Sequence, residues 1–294
     1  VLQACDIAPG FTSLFVSLLH TRKNKRLMLA FANAKINIGL NVTEKLPDGY
    51  HNIQTVFYPI QLHDVVELTD ATTTTCVVSG IDNLGDSEDN ICYKAFRLLQ
   101  RDYNFPEQQI TLLKQIPVGA GLGGGSSDAA QLIKIISKKF NLGLSVTEME
   151  QYASALGADC AFFIENKPVY AVGRGDQFQP VGLDLSAYNI VLVKPDIHVS
   201  TAEAYAGMQP LPHEEHLPAL VQQPVETWKD QVKNDFERMV FEKYPAIADV
   251  KQKLYAAGAL YASMSGSGSS VYGIFNGPVA LPELEQHNKV YYNL

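Results

Sequence analysis

The stretch Pro117-Val118-Gly119-Ala120-Gly121-Leu122-Gly123-Gly124-Gly125-Ser126-Ser127 limits what this chain can become more than any other. Five of the seven residues from 119 to 125 are glycine. Glycine passes readily through positive φ, and without a Cβ its backbone can approach another group closely. A chain loses much conformational freedom at such residues, so a run this dense needs a use. Ser127 to Phe140 follows, with Ala129, Leu132, Ile133, Ile136 and Phe140 near the i, i+3, i+4, i+7 spacing of a helix. A loop ending in a helix N-terminus brings free N–H groups and the positive dipole end together, which suits phosphate.

Known glycine-loop patterns narrow the choice. Gly119 to Gly124 satisfies G-x-G-x-x-G, but that pattern alone is weak. Its dinucleotide form wants an acidic residue about 20 positions on, at the end of a second strand. Here Asn141 to Val146 falls between helices and holds no acid. A P-loop needs a lysine after its last glycine, and none follows. A triphosphate loop working through backbone N–H groups and serine hydroxyls remains.

Bulk properties set outer limits. The 294 residues permit one large domain or two ordinary ones, and 46% hydrophobic residues suffice for a packed core. A net charge of −8 with no basic block argues against a nucleic-acid partner. Cys5, Cys76, Cys92 and Cys160 are far apart, form no CxxC and read as thiols of a reducing compartment. No apolar run approaches the ~20 residues of a membrane span. A cytoplasmic protein with no membrane partner is expected, as a monomer or weak homodimer. In residues 1–27 an apolar patch, Phe11 to Leu19, precedes Arg22, Lys23, Lys25 and Arg26. That is the reverse of a secretory signal, so these residues read as an extension outside the fold.

Patterning begins after Met28. Ile36, Ile38, Leu40 and Val42 alternate with polar or small residues, as in a half-buried strand. Lys35 and Asn37 then lie side by side on the opposite face. Pro47-Asp48-Gly49 reads as a turn. Strands are expected over Val56 to Leu68, Thr73 to Ser79, Ile110 to Ile116 and Asn189 to Val193. Helices are expected over Asn90 to Tyr103, from the capping box Thr147–Glu150 to Leu156, and over Asn234 to Lys243 and Ala246 to Ala257. Tyr261 to Phe275 reads as strand, glycine turn (Ser265 to Gly268), strand. Trp228, alone among polar residues, reads as a packing residue. The sum is a mixed α/β (α+β) chain of two domains, about 28–183 and 184–294.

Three blocks carry a resemblance to a known family: PVGAGLGGGSSDAA from Pro117, AKINIGLNV from Ala34, and MSGSGSSVYGIF from Met264. In this order they resemble the GHMP kinases, small-molecule kinases with a two-domain fold and an active site in the interdomain cleft. The turn Pro47-Asp48-Gly49-Tyr50-His51 after the AKxN strand, with Leu156-Gly157-Ala158-Asp159 and Phe162-Phe163, resembles the members that act on a cytidine diphosphate sugar alcohol. The resemblance implies transfer of the ATP γ-phosphoryl to the 2-hydroxyl of cytidine diphosphate methylerythritol, in non-mevalonate isoprenoid biosynthesis. It also implies roles. Asp159 would take the hydroxyl proton, and Lys35 would sit between that carboxylate and the phosphoryl group. The loop from Pro117 to Ser127, with Asn90 and Lys114, would hold ATP. Asn37, Tyr50, His51, Tyr205, Gly266 and Gly268 would meet the acceptor. Mg²⁺ is expected with ATP, and no carboxylate pair marks a metal site of its own. A loose transition state lets the proton leave late, so Asp159 is expected to orient the hydroxyl as much as to deprotonate it. Asn90 could equally begin a helix, and Lys114 could be a solvated strand charge. Leu46, Asp128 and the pair Cys160-Ala161 depart from the family pattern. Asp128 could weaken ATP or help to hold Mg²⁺, and both readings stand.

Overall fold

The computed structural model describes residues 28–81, 88–206, 208–210 and 216–294. The extension expected over 1–27 lies outside them. Among the described residues two sheets organise the chain. The first holds β1 (Met28–Lys45), β2 (His51–Asp70), β3 (Thr75–Ser79), β4 (Gln108–Leu113), β5 (Val169–Val172) and β6 (Gln177–Pro180). Its order is β3-β4-β2-β5-β6, with β1 antiparallel to β2 along most of its length. The helices α1 (Ile91–Tyr103), α2 (Gly124–Lys139), α3 (Val146–Ser154) and α4 (Phe162–Glu165) share a core with these strands. Phe96 and Leu99 of α1 and Leu132, Ile133 and Ile136 of α2 pack there with Val66, Leu68 and Ile110.

The second sheet has the order β10-β7-β9-β8, from β7 (Asn189–Pro195), β8 (Tyr261–Met264), β9 (Val271–Phe275) and β10 (Asn288–Tyr291). Around it run the short α5 (Thr201–Ala206), α6 (Leu217–Leu220) and α7 (Trp228–Gln231). The longer α8 (Phe236–Lys243) and α9 (Pro245–Ala256) follow, then α10 (Pro282–Glu285). One apolar cluster crosses between the sheets. Ala34, Ile36 and Ile38 of β1 pack with Ile190, Leu192, Tyr272 and Ile274 of β7 and β9.

That cluster overturns the half-buried reading of β1. Ala32 to Val42 are buried without a break. Ala34, Ile36 and Ile38 meet the second sheet, while Lys35 and Asn37 lie on the strand's other face, 4% and 2% exposed. Alternation of residue type therefore marks two different buried surroundings, not core against water.

Other boundaries shift for local reasons. Helix α2 starts at Gly124, three residues before the expected Ser127, because Gly123 takes φ +69° as its cap. The capping box before α3 is Ser145–Glu148, not Thr147–Glu150. Ser145 is extended, its Oγ accepts from the Glu148 N–H at 3.3 Å, and Glu148 Oε2 accepts from the Ser145 N–H at 2.8 Å. Thr147 is already inside the first turn. The hairpin β5–β6 and the last strand β10 were not expected, since four-residue strands carry too little alternation to stand out.

Trp228 is a core residue, as its sequence setting suggested. It is fully buried, lies edge-on to Tyr261 with ring centroids 5.5 Å apart, and donates its indole N–H to the Gln223 carbonyl at 3.0 Å. Trp228→Ala is expected to destabilise the protein by about 3–5 kcal/mol. Urea unfolding would report this as a lower midpoint at unchanged slope, and a loss below about 1 kcal/mol would contradict the packing assignment.

Candidate active site

A cavity of about 1460 Å³ opens where the first sheet, the glycine loop and the second sheet meet. Its floor is the polar face of β1. The Lys35 ammonium donates to Asn37 Oδ1 at 2.6 Å and to the Gly121 carbonyl at 3.2 Å, and it lies 3.4 Å from Asp159 Oδ2. It also sits 4.8 Å from the centre of the Phe57 ring. A buried ammonium must be surrounded by oxygen, and here three separate chain segments supply it. Asp159 follows α3 in the turn that precedes α4, and its carboxylate is 34% exposed, open to the cavity.

The glycine loop is fixed from below and from the side. The Lys35 N–H donates to the Leu122 carbonyl at 3.0 Å. Gly121 has φ +77°, and a Cβ there would fall 2.0 Å from the Ser265 carbonyl oxygen. The first glycine loop thus packs against the second. The Ser265 hydroxyl joins them, donating to the Gly121 carbonyl at 2.8 Å and accepting from the Asn37 N–H at 3.2 Å. Asn234 holds the second turn in place through the carbonyls of Met264 and Gly266, both at 2.8 Å.

Aromatic groups line the other end. Tyr50 is 59% exposed, and the Arg174 guanidinium lies 4.3 Å from its ring centre while pairing with Asp48. His51 stacks on Tyr205 with centroids 4.8 Å apart and an interplanar angle of 25°. Tyr205 in turn meets Phe236 edge-on. Burial, and then the charge of Lys45, hold the His51 pKa below its ordinary value, and its buried Nε2 has no hydrogen-bond partner. Burial, with Asp159 nearby, pushes the Tyr205 hydroxyl up to about 12.

The cavity gathers nearly every residue singled out from the sequence. Lys35, Asn37, Tyr50, His51, Asn90, Lys114, Asp159, Tyr205 and Gly266 line it, as does the loop from Pro117 to Ser126. Two do not. Ser127 is fully buried with an unpartnered hydroxyl, and Gly268 packs against Met264. Asn90 caps α1, its Oδ1 accepting from the Cys92 N–H at 2.8 Å. Lys114 is not a solvated charge. It is 5% exposed, and its ammonium is held by Asp64 and Asp128. Arg174, His198 and Asp64 were missed. Arg174 had a signal in its turn, Gly173-Arg174-Gly175. His198, whose ring a Cβ on Gly119 would approach to 2.9 Å, had none. Among the described residues no group of three or more His, Cys, Asp and Glu could hold a metal ion, and no helix is long and apolar enough to cross a membrane.

Known proteins share both the sequence and this arrangement. The chain matches the GHMP kinases N terminal domain over residues 90–167 and the GHMP kinases C terminal domain over 217–293. It is 51% identical to the 4-diphosphocytidyl-2-C-methyl-D-erythritol kinase of Bacteroides fragilis (strain YCH46), across 85% of this chain and 92% of that protein. It is 50% identical to the protein of the same name from Cytophaga hutchinsonii, across 85% of this chain and 93% of the relative. A crystal structure of 4-(cytidine 5'-diphospho)-2C-methyl-D-erythritol kinase superposes with a TM-score of 0.78 at 28% identity, covering 90% of this chain and 98% of that one. The buried lysine and open aspartate under a lysine-free glycine loop thus sit in a chain that belongs to the GHMP kinases, in the family of the 4-diphosphocytidyl-2-C-methyl-D-erythritol kinases.

Proposed function

We propose that this kinase transfers the γ-phosphoryl group of ATP to the 2-hydroxyl of 4-diphosphocytidyl-2-C-methyl-D-erythritol, a step of non-mevalonate isoprenoid biosynthesis. The observation that carries the reading is the Lys35 ammonium, 3.4 Å from the open Asp159 carboxylate and 3.2 Å from the Gly121 carbonyl. Phosphoryl transfer needs positioning and charge stabilisation more than covalent help. An ammonium between the glycine loop and a carboxylate supplies both. In this reading the loop N–H groups and the N-terminus of α2 face the triphosphate, with Pro117 to Ser126 and Asn90 forming the ATP end and the Lys114 ammonium turned to Asp64 and Asp128 behind it. The Ser126 hydroxyl in the cavity wall would offer an oxygen to a Mg²⁺ ion accompanying ATP, and that ion would offset phosphate charge. Asp159 accepts the proton of the attacking hydroxyl, and Lys35 steadies the charge on the oxygen it leaves. Asn37, fixed by Thr55 at 3.0 Å, holds the lysine in place.

Tyr50, His51 and Tyr205 form the cytidine end, with Gly266 at the acceptor. The free face of Tyr50 can stack on a base, and the unpartnered His51 Nε2 can meet a pyrimidine edge. Tyr205 backs His51 by stacking on it. We assign the two domains to 28–183 and 184–294, in the cytoplasm, with no nucleic-acid or membrane partner, as a monomer or weak homodimer.

The direct assay is ADP formation with the cytidine diphosphate alcohol against a panel of other acceptor alcohols. Binding of ATP with no turnover on any acceptor would point to a nucleotide sensor instead. Asp159→Asn is expected to lower kcat by about 10²–10⁴ with ATP affinity nearly unchanged; full turnover in that variant would remove Asp159 from its role. Tyr50→Ala and His51→Ala should each narrow the preference for cytidine-linked over uridine-linked acceptors. Undiminished preference, read from kcat/KM for the two, would dissociate these residues from base recognition.

A further inference from the structure

Beneath the glycine loop lies a buried ion cluster that the chemistry above does not use. Asp64 of β2 is fully buried and is not among the residues that line the cavity. Its Oδ1 accepts from the N–H groups of Gln115 at 2.5 Å and Ile116 at 2.8 Å, the two residues before Pro117. Its Oδ2 accepts from the Lys114 ammonium. That ammonium also donates, at 2.6 Å, to Asp128 Oδ2 in the second turn of α2. A Cβ on Gly124, the first residue of α2, would lie 3.3 Å from Asp64 Oδ2 and 2.9 Å from the Ile116 side chain. One carboxylate therefore binds the chain just before the glycine loop, lies beside Gly124 at the loop's far end, and reaches Asp128 beyond it through Lys114.

The physics favours a rigid clasp. Buried carboxylates are tolerated only with donors around them, and Asp64 has an ammonium and two backbone N–H groups. Such charge-assisted bonds are strong and directional. Burial pushes the Asp128 carboxyl up to about 7 against the pull of Lys114, and the Lys114 ammonium bridges the two carboxyl groups. Gly119 to Gly125 would by themselves sample many conformations. A ligand that had to order them would bind more weakly by that ordering cost.

We propose that Asp64 is a positioning residue for the nucleotide: through Lys114 it clasps both ends of the Pro117–Gly124 loop and presets its N–H groups for a triphosphate. Lys114 then acts on the loop and not on the nucleotide. The proposal rests on the reading of this loop as the ATP site.

The test compares wild type, Asp64→Asn, Lys114→Gln and the double variant, measuring the Kd of a fluorescent ATP analogue, KM for both substrates, and Tm. In Asp64→Asn the Kd of the analogue and KM for ATP should rise about 10- to 100-fold, the worth of a charge-assisted bond. KM for the acceptor should stay within about twofold, and the double variant should bind no more weakly than the weaker single one. A lower Tm with unchanged ATP affinity would make the cluster merely structural and overturn the proposal. Additive losses would also overturn it, since Lys114 would then be touching the nucleotide directly. If Asp64→Asn does not fold, amide hydrogen exchange on wild type decides. The Gln115 and Ile116 N–H groups should already be protected before ATP is added, and protection appearing only with ATP refutes a preset loop. A wild type that binds no ATP sinks the nucleotide reading and the clasp together. A wild type that binds ATP beside unweakened variants sinks the clasp alone.

Discussion

A buried ammonium must be enclosed by oxygen, and this one demand organises the site. Lys35 draws on Asn37 from its own strand, on Gly121 from the glycine loop and on Asp159 from the turn before α4. None of these can move independently without leaving a charge short of partners, which in a protein interior costs several kcal/mol. The packing of the two glycine turns serves the same need. It holds the Gly121 carbonyl where the lysine ends. Ser265 extends the arrangement by one bond, tying the Asn37 N–H and the Gly121 carbonyl to the second sheet.

The overall acidity of the chain sits comfortably beside an anionic co-substrate. A net charge of −8 is spread over 294 residues, and at physiological salt charges beyond about 8 Å are largely screened. In the proposed reading the nucleotide would meet a local field instead. Backbone N–H groups, the N-terminus of α2 and the Lys35 ammonium would supply it, while the Lys114 charge is balanced by Asp64 and Asp128. Reading the lysine near the loop as a phosphate ligand would double the positive charge assigned to this end of the cavity. Its carboxylate partners make that assignment unnecessary.

Chemistry carried by short motifs was legible in the sequence. Lys35 beside Asn37 and the glycine loop could be named from residue type and local spacing, and the resemblance to the GHMP kinases added the Tyr50-His51 turn and Asp159. The cavity brings them together. What sequence could not give was long-range partnership. Asp64 stands 50 residues from Lys114, and nothing in its sequence surroundings distinguishes it from an ordinary strand acid. The purpose of Gly121 was also misjudged. Its missing Cβ makes room for the Ser265 carbonyl of the other domain, not only for a ligand. The burial of β1 on both faces failed for the same reason, because a single strand's pattern does not tell which sheet will cover its far side.

The half-buried reading of β1 and the reading of Lys114 as a solvated charge or an ATP ligand share a direction. Each assigned to ligand or solvent a contact that the protein makes with itself. A phosphate loop built from glycine has few side chains to hold it, so its shape must come from neighbours: a serine hydroxyl at one point, a buried carboxylate at another, a histidine ring against Gly119 at a third. Rigidity imported in this way lets the loop offer bare N–H groups to an anion while keeping them where the transition state needs them. A lysine-bearing loop can tolerate slack, because a long ammonium arm finds its phosphate over several ångströms. A lysine-free loop has no such reach, and the interlocked glycine turns and the buried ions beneath them are what replaces it.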